Sequence, residues 1–284
     1  MAAWLASWLP MPVKRALYRY EPLAGLLRGA LNRAAPDGLT TVDVAAGGLA
    51  DCRLSLDLHS EKDYWLGTYE PDLQSAIDQL VSPGMVAYDV GANIGYISLL
   101  LARAVGARGQ VFSFEALPSN IERLKTNLGL NPDGERVEVI EAAVVEHQGP
   151  VRFFVGPSGG MGKAAGSAGR EEFSYDKVLE VNGVSLDHFI YEGGHPVPGV
   201  VKMDIEGGEV MALAGMLRLM AEAPPLILLE LHGPTAAQTA WDILTDSGYR
   251  ICRMGPGYAL IPAFDALDWK SYLAAFPPGW ERGD

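Results

Sequence analysis

The stretch that most constrains this chain is residues 85–102, MVAYDVGANIGYISLLLA. A short apolar run rich in β-formers ends in Asp89, passes through Gly91, Asn93 and Gly95, and continues into an apolar helical pattern. That order predicts a buried strand, a tight turn and a helix start. Glycine tolerates the sharp turn and the close approach of a ligand because it has no Cβ. The free N–H groups of the helix start should then face whatever occupies the crevice at the strand's C-terminal end.

The acids around the turn indicate what kind of ligand that is. A nicotinamide fingerprint, GxGxxG, rests a pyrophosphate on the helix N-terminus. Here Asn93 takes the middle place, and Asp89 at the mouth of the turn would repel a pyrophosphate. A cationic, hydroxyl-bearing ligand fits better, and S-adenosylmethionine, with its ammonium, sulfonium and ribose, is one. A second strand, residues 110–114, ends in Glu115, the acid that such a sheet aims at ribose hydroxyls.

The chain has 284 residues, enough to bury a sizeable core in one domain of ordinary size with an N-terminal extension. A net charge of -13 without a basic stripe argues against nucleic acid as a partner. Cys52 and Cys252 lie far apart and form neither a metal spacing nor a disulfide framework, so the reducing cytoplasm is the default compartment. No apolar run is long enough to span a bilayer. In the N-terminal extension, residues 1–38, Trp4, Leu5, Trp8 and Leu9 precede Lys14, Arg15, Arg19, Arg28 and Arg33. Such a segment suits peripheral contact with a membrane, docking on a subunit through residues 1–35, or a helical cap on the same core.

Residues 39–284 read as the main domain, opened by a pre-sheet segment, 39–84. Within it, residues 40–58 suggest a hairpin outside the main sheet, and Tyr64, Trp65, Tyr69 and Glu70 form an aromatic-acid cluster able to fold over a cofactor. Strands at 85–89, 110–114 and 137–141 then alternate with helices at 95–104 and 118–130. Ala142 and Ala143 after the third strand leave room for a flat heteroaromatic ring. Residues 151–155 are expected to pair back on 137–141, and the Gly-, Ser- and Ala-rich stretch 156–170 reads as a mobile loop. Its Gly162-Lys163 imitates a phosphate loop, but Pro157 and Ala164 stand where Gly and Ser or Thr are needed. Further on come a strand at 199–204 ending in Asp204, a helix at 210–220 and a strand at 225–231 that delivers Glu230 and His232. A helix at 234–247 and a hairpin of strands 249–254 and 258–262 follow. This pattern is α/β: a doubly wound, Rossmann-like sheet with an antiparallel C-terminal edge hairpin.

Four blocks, YDVGANIG, FEALPSNIERLKTNLGLN, VKMDIEGGE and LLELH, occur in this order within residues 69–232. Together they resemble the FkbM-type family of S-adenosylmethionine-dependent methyltransferases. The resemblance implies a class I methyltransferase fold and methylation of a hydroxyl oxygen on a sugar, glycan, natural product or other small molecule. In the third block Glu206-Gly207-Gly208-Glu209 departs slightly from the usual acid-Gly-Ala-Glu. The first sixty residues lie outside the resemblance.

Displacement at a sulfonium needs no covalent enzyme intermediate, so the protein's work is orienting the acceptor and removing its proton. Asp204, Glu206 and His232 are the candidate catalytic residues, expected on one rim of the crevice, and histidine is the side chain best matched to neutral pH. The same three could hold a divalent cation such as magnesium. Glu70, Asp89, Gly91, Asn93, Gly95, Glu115, Ala142, Ala143 and Asp204 are the expected cofactor-binding residues. Asp204 also reads as a helix N-cap, Glu206 and Glu209 as partners of the helix dipole, and His232 as a capped strand terminus. Two other functions are consistent with the chain: a cofactor-binding scaffold without catalysis, and a nicotinamide dehydrogenase, which Asn93 and Asp89 disfavour. ATP-dependent phosphotransfer is a remote alternative.

Overall fold

The computed structural model describes residues 37–156, 162–168, 177–267 and 272–280. The N-terminal segment 1–35 and parts of the 156–170 loop fall outside these residues. The chain divides into two compact units, Met1–Pro71 and Asp72–Asp284.

In the first unit, β1 (Leu39–Asp43) and β2 (Arg53–Asp57) form an antiparallel two-stranded sheet, followed by α1 (Lys62–Leu66). Alternation places Leu54 and Leu56 on the buried face of β2, and Leu49, Cys52 and Trp65 are buried too. α1 ends at Gly67 in the left-handed conformation, where a Cβ would come within 1.8 Å of the Ala46 carbonyl oxygen.

The second unit begins with α2 (Pro71–Leu80), whose Leu73, Ala76, Ile77 and Leu80 make one buried stripe. Strand–helix alternation follows, through β3 (Val86–Val90), α3 (Tyr96–Val105), β4 (Gln110–Glu115), α4 (Pro118–Gly129) and β5 (Val137–Glu141). Next come the short β6 (Ala143–Val144), β7 (Gly149–Val155), β8 (Gly162–Ala164), β9 (Lys177–Val184) and α5 (Leu186–Tyr191). The chain then returns to the main sheet with β10 (Val200–Met203), α6 (Glu209–Ala214), α7 (Leu217–Glu222), β11 (Leu226–Glu230), α8 (Pro234–Asp246), β12 (Arg250–Arg253) and β13 (Tyr272–Phe276).

The main sheet has seven strands in the order β12-β13-β11-β10-β3-β4-β5, with β13 antiparallel to both neighbours and β5-β4-β3-β10-β11 parallel. The chain winds outward from β3 to β5 and then restarts on the other side at β10, so the topological switch point lies between β3 and β10. That is the doubly wound α/β fold of class I methyltransferases. The central strands are buried on both faces, as helix-covered parallel strands must be, and Tyr88, Phe112 and Phe114 of β3 and β4 pack their rings with Phe189.

Four local expectations are corrected. Residues 151–155 do not pair with β5; β7 joins β6, β9 and β8 in a separate four-stranded sheet. Part of the expected loop is strand β8, where a Cβ on Gly162 would lie 2.2 Å from the Phe153 ring, so the glycine serves tight pairing. The antiparallel edge exists, but the partner of β12 is β13 rather than 258–262, which makes only a bridge between Cys252 and Leu260. The single helix expected at 210–220 breaks into α6 and α7 at Gly215. A side chain there would meet the Val145 carbonyl oxygen at 2.3 Å, and Asp187 caps the new helix start through Arg218 N–H and Leu219 N–H.

Candidate functional site

The ends of β3, β4, β10 and β11 converge at the switch point. After β3, Gly91 (φ +81°), Asn93 (φ +50°) and Gly95 (φ +91°) are all left-handed, which two glycines and an asparagine adopt at least cost. Gly91 is required by the protein itself, since a Cβ would lie 1.9 Å from the Asp204 carbonyl oxygen where β10 leaves the sheet. The turn's N–H groups are also used internally. Those of Gly91 and Ala92 donate to the Phe114 carbonyl, and that of Asn93 donates to Glu115 Oε2.

Glu115 therefore closes the turn from β4. Its Oε1 accepts from Ala116 N–H and Leu117 N–H, and burial raises its pKa against the lowering effect of these backbone donors. The Asn120 side chain is a further donor, so the protein itself supplies four donors to the carboxylate's four lone-pair sites. Ala142 and Ala143 are buried at the end of β5, Ala142 in the main core and Ala143 beside Ala116 and Leu117. Glu70 belongs to the first unit, where its φ of +42° is left-handed.

Asp89 lies elsewhere than expected. Its carboxylate is fully enclosed: Ser98 Oγ donates to Oδ2 at 2.7 Å, and Ser113 Oγ donates on to Ser98 Oγ. On the other side Lys202 Nζ lies 3.1 Å from Oδ1 and donates to the Gly91 carbonyl at 2.9 Å. β3 and β10 run in register with Asp89 beside Lys202, so the pair forms across the switch point and fixes the turn from below. Asp89 thus reaches the crevice through the backbone it holds, and its side chain stays inside. Sequence reading overlooked Lys202, although a lysine within the apolar run GVVKMD signals a buried charge needing a partner.

Asp204, Glu206 and His232 do come together, and Glu209 and Glu230 join them. His232, after β11, is only 5% exposed at its side chain. Its Nδ1 lies 3.0 Å from Glu209 Oε1, a carboxylate with no exposure that also accepts from Ile205 N–H and Gly207 N–H. Nε2 faces Asp204 Oδ1 at 3.6 Å, Glu230 Oε1 at 3.7 Å and Glu206 Oε2 at 3.8 Å. Glu206 holds a left-handed φ of +53°, a conformation that costs a non-glycine residue about 1 kcal/mol and recurs at functional sites.

Burial alone would lower the His232 pKa, but the hydrogen bond and charge of Glu209, with the charges of Asp204 and Glu206, override it and raise the pKa to about 9. With no other cation bound, the imidazole is therefore protonated at neutral pH and cannot act as the general base expected of it. The field that keeps a proton on Nε2 would equally attract another cation. Glu209, read from sequence as a helix-dipole partner, is instead the group that orients the histidine. Beside this rim Ala168 N–H donates to the Gly207 carbonyl.

Residues 89–251, more than half of the chain, match the methyltransferase FkbM domain. Among curated proteins, the chain is 25% identical over 162 residues to the hexuronic acid methyltransferase AglP of Haloferax volcanii, covering 57% of this chain and 62% of that protein. It is 37% identical over 62 residues to the tRNA (adenine(58)-N(1))-methyltransferase TrmI of Thermus thermophilus, covering 22% of this chain and 24% of that protein. The chain thus spans less than two thirds of the length of either relative. A crystal structure of a methyltransferase FkbM from Methylobacillus flagellatus aligns with 92% of this chain and 61% of its own, at 17% identity and a TM-score of 0.48.

Proposed function

The chain belongs to the FkbM methyltransferase family, and from that premise we propose that it transfers a methyl group from S-adenosylmethionine to a hydroxyl oxygen of a sugar, a sugar acid or a similar small molecule or glycan. The observation that carries this reading is the convergence of Asp204, Glu206, Glu230 and His232 on one rim beside the turn closed by Glu115.

The residues present suit that cofactor. Glu115 stands at the end of β4, where a ribose would be held, and Ala142 and Ala143 keep the side chains small after β5. The carboxylates of the rim favour a ligand bearing positive charge. When bound, S-adenosylmethionine supplies an electrophilic methyl group on a sulfonium.

What the chain contributes is position and proton removal. Asp204 and Glu206, 23% and 33% exposed, are the rim carboxylates open to an acceptor. One of them would take the acceptor's hydroxyl proton, whose place the methyl group supplied by the cofactor would fill. Without a metal, the charged His232 tempers the mutual repulsion of these acids. The same reading admits a divalent cation on the rim, where it would make the acceptor hydroxyl more acidic.

AglP acts on a hexuronic acid, and that similarity supports a carbohydrate acceptor here. A net charge of -13 and an acid-lined rim fit poorly with a polyanionic RNA acceptor. The test is methyl transfer from labelled S-adenosylmethionine to a panel of sugars, uronic acids and tRNA. Labelled methyl ether on a carbohydrate is expected, and incorporation confined to tRNA would contradict the reading.

A further inference from the structure

We propose that Asp204, Glu230 and His232 form a binding site for a hard divalent cation of the magnesium–manganese class, and that the acceptor is one able to chelate that cation through two neighbouring oxygens. The proposal rests on reading this rim as the acceptor side of the methyl-transfer site.

The spacing of the side chains carries the first part. Two atoms each about 2.1 Å from one ion lie about 3.0 Å apart at right angles and about 3.6 Å apart at 120°. His232 Nε2 lies 3.6 Å from Asp204 and 3.7 Å from Glu230, too far for hydrogen bonds and suited to ligands sharing one ion. One donor atom from each of the three falls within 4.8 Å of the others.

The orientation of His232 adds to this: the ring is buried, its Nε2 aims into the cluster at ion-pair distance from Asp204, Glu206 and Glu230, and its Nδ1 is locked by the enclosed Glu209. A carboxylate bonded to one ring nitrogen while the other faces further ligands is the outer-shell arrangement that orients a metal-binding histidine. A surface ion pair would need no such support. One imidazole among carboxylate oxygens favours manganese or magnesium over thiophilic metals.

The acceptor class follows from coordination number. Three protein ligands leave about three positions of an octahedral cation for water and acceptor. A vicinal diol or a hydroxy-carboxylate fills two of them and fixes one hydroxyl in place. An anionic acceptor, otherwise repelled by Asp204, Glu206 and Glu230, gains a partner in the cation.

The test is titration of the metal-stripped full chain with manganese(II) alone, followed by electron paramagnetic resonance. One ion per chain is expected, displaced by magnesium, with nitrogen coupling from a coordinated imidazole. His232→Gln should remove that coupling, and Glu209→Gln should weaken binding about 10- to 100-fold. Absence of saturable binding to the wild-type chain, which needs no variant to fold, would overturn the site, as would undiminished nitrogen coupling in His232→Gln. If manganese fails to bind while Glu230→Gln weakens S-adenosylhomocysteine binding, the cluster receives the cofactor's own charge and the proposal is wrong. Because metal binding is read without cofactor or acceptor, failure of methyl transfer alone would count against the enzyme reading and not against the cation site.

Discussion

Glu115 shows how one side chain can have two duties at a strand end. It accepts the Asn93 N–H of the turn after β3 and the Ala116 and Leu117 N–H groups that follow β4, and it offers the ribose contact proposed for the cofactor. Glu115→Ala should therefore lower stability by about 1–3 kcal/mol for the orphaned donors as well as weaken cofactor binding. An unchanged thermal midpoint would show that the turn does not depend on it. His232 carries a pH signature whose sign is fixed by the direction of its shift. Its folded pKa is raised from 6.5 to about 9, so its contribution to stability is complete below about 6.5 and is lost as pH rises through about 9. Urea midpoints of the metal-free chain between pH 6 and 10 should fall across that window, and His232→Gln should flatten the fall. Equal slopes in both proteins would remove the charged histidine from the account.

Among the elements, those with strong local patterns were legible in the sequence and those defined by long-range partners were not. β3, β4, β5, β10 and β11 appear within a residue of their expected ends, the inner four because buried parallel strands read as apolar runs closed by an acid or glycine, and the edge strand β5 because valine and glutamate alternate along it. β13, Tyr272–Phe276, is a short apolar run closed by Pro277-Pro278-Gly279, but its place between β11 and β12 is set by long-range pairing that the local pattern does not carry. The break at Gly215 depends on the distant Val145 carbonyl, which no local window contains. At the site, sequence order placed Asp204, Glu206 and His232 on one rim, yet it aimed Asp89 at the ligand. Only the register of β3 against β10 reveals that Lys202 claims that carboxylate. Removing one member of this enclosed pair should cost about 3–5 kcal/mol, so Lys202→Met should lower the denaturation midpoint sharply. Adding Asp89→Asn should recover part of the loss, and a double variant no better than additive would argue against direct coupling.

For the whole molecule, the two units invite separate questions. Among the described residues, no helix is long and apolar enough to cross a membrane. The N-terminal segment bears the chain's clearest positive cluster, Lys14, Arg15, Arg19, Arg28 and Arg33, beside Trp4 and Trp8. Deleting residues 1–35 is expected to release the protein from anionic vesicles without altering cofactor affinity; equal sedimentation of both forms with vesicles would exclude that role. The central claim concerns the second unit: the crevice between β3 and β10 is a site for S-adenosylmethionine. Calorimetric titration of the full chain with S-adenosylhomocysteine tests it most directly. The account predicts saturable binding of one ligand per chain, weakened about tenfold or more in Glu115→Gln, a change that keeps the side chain's size and removes its charge. No binding heat and no rise in thermal midpoint at saturating ligand would contradict it.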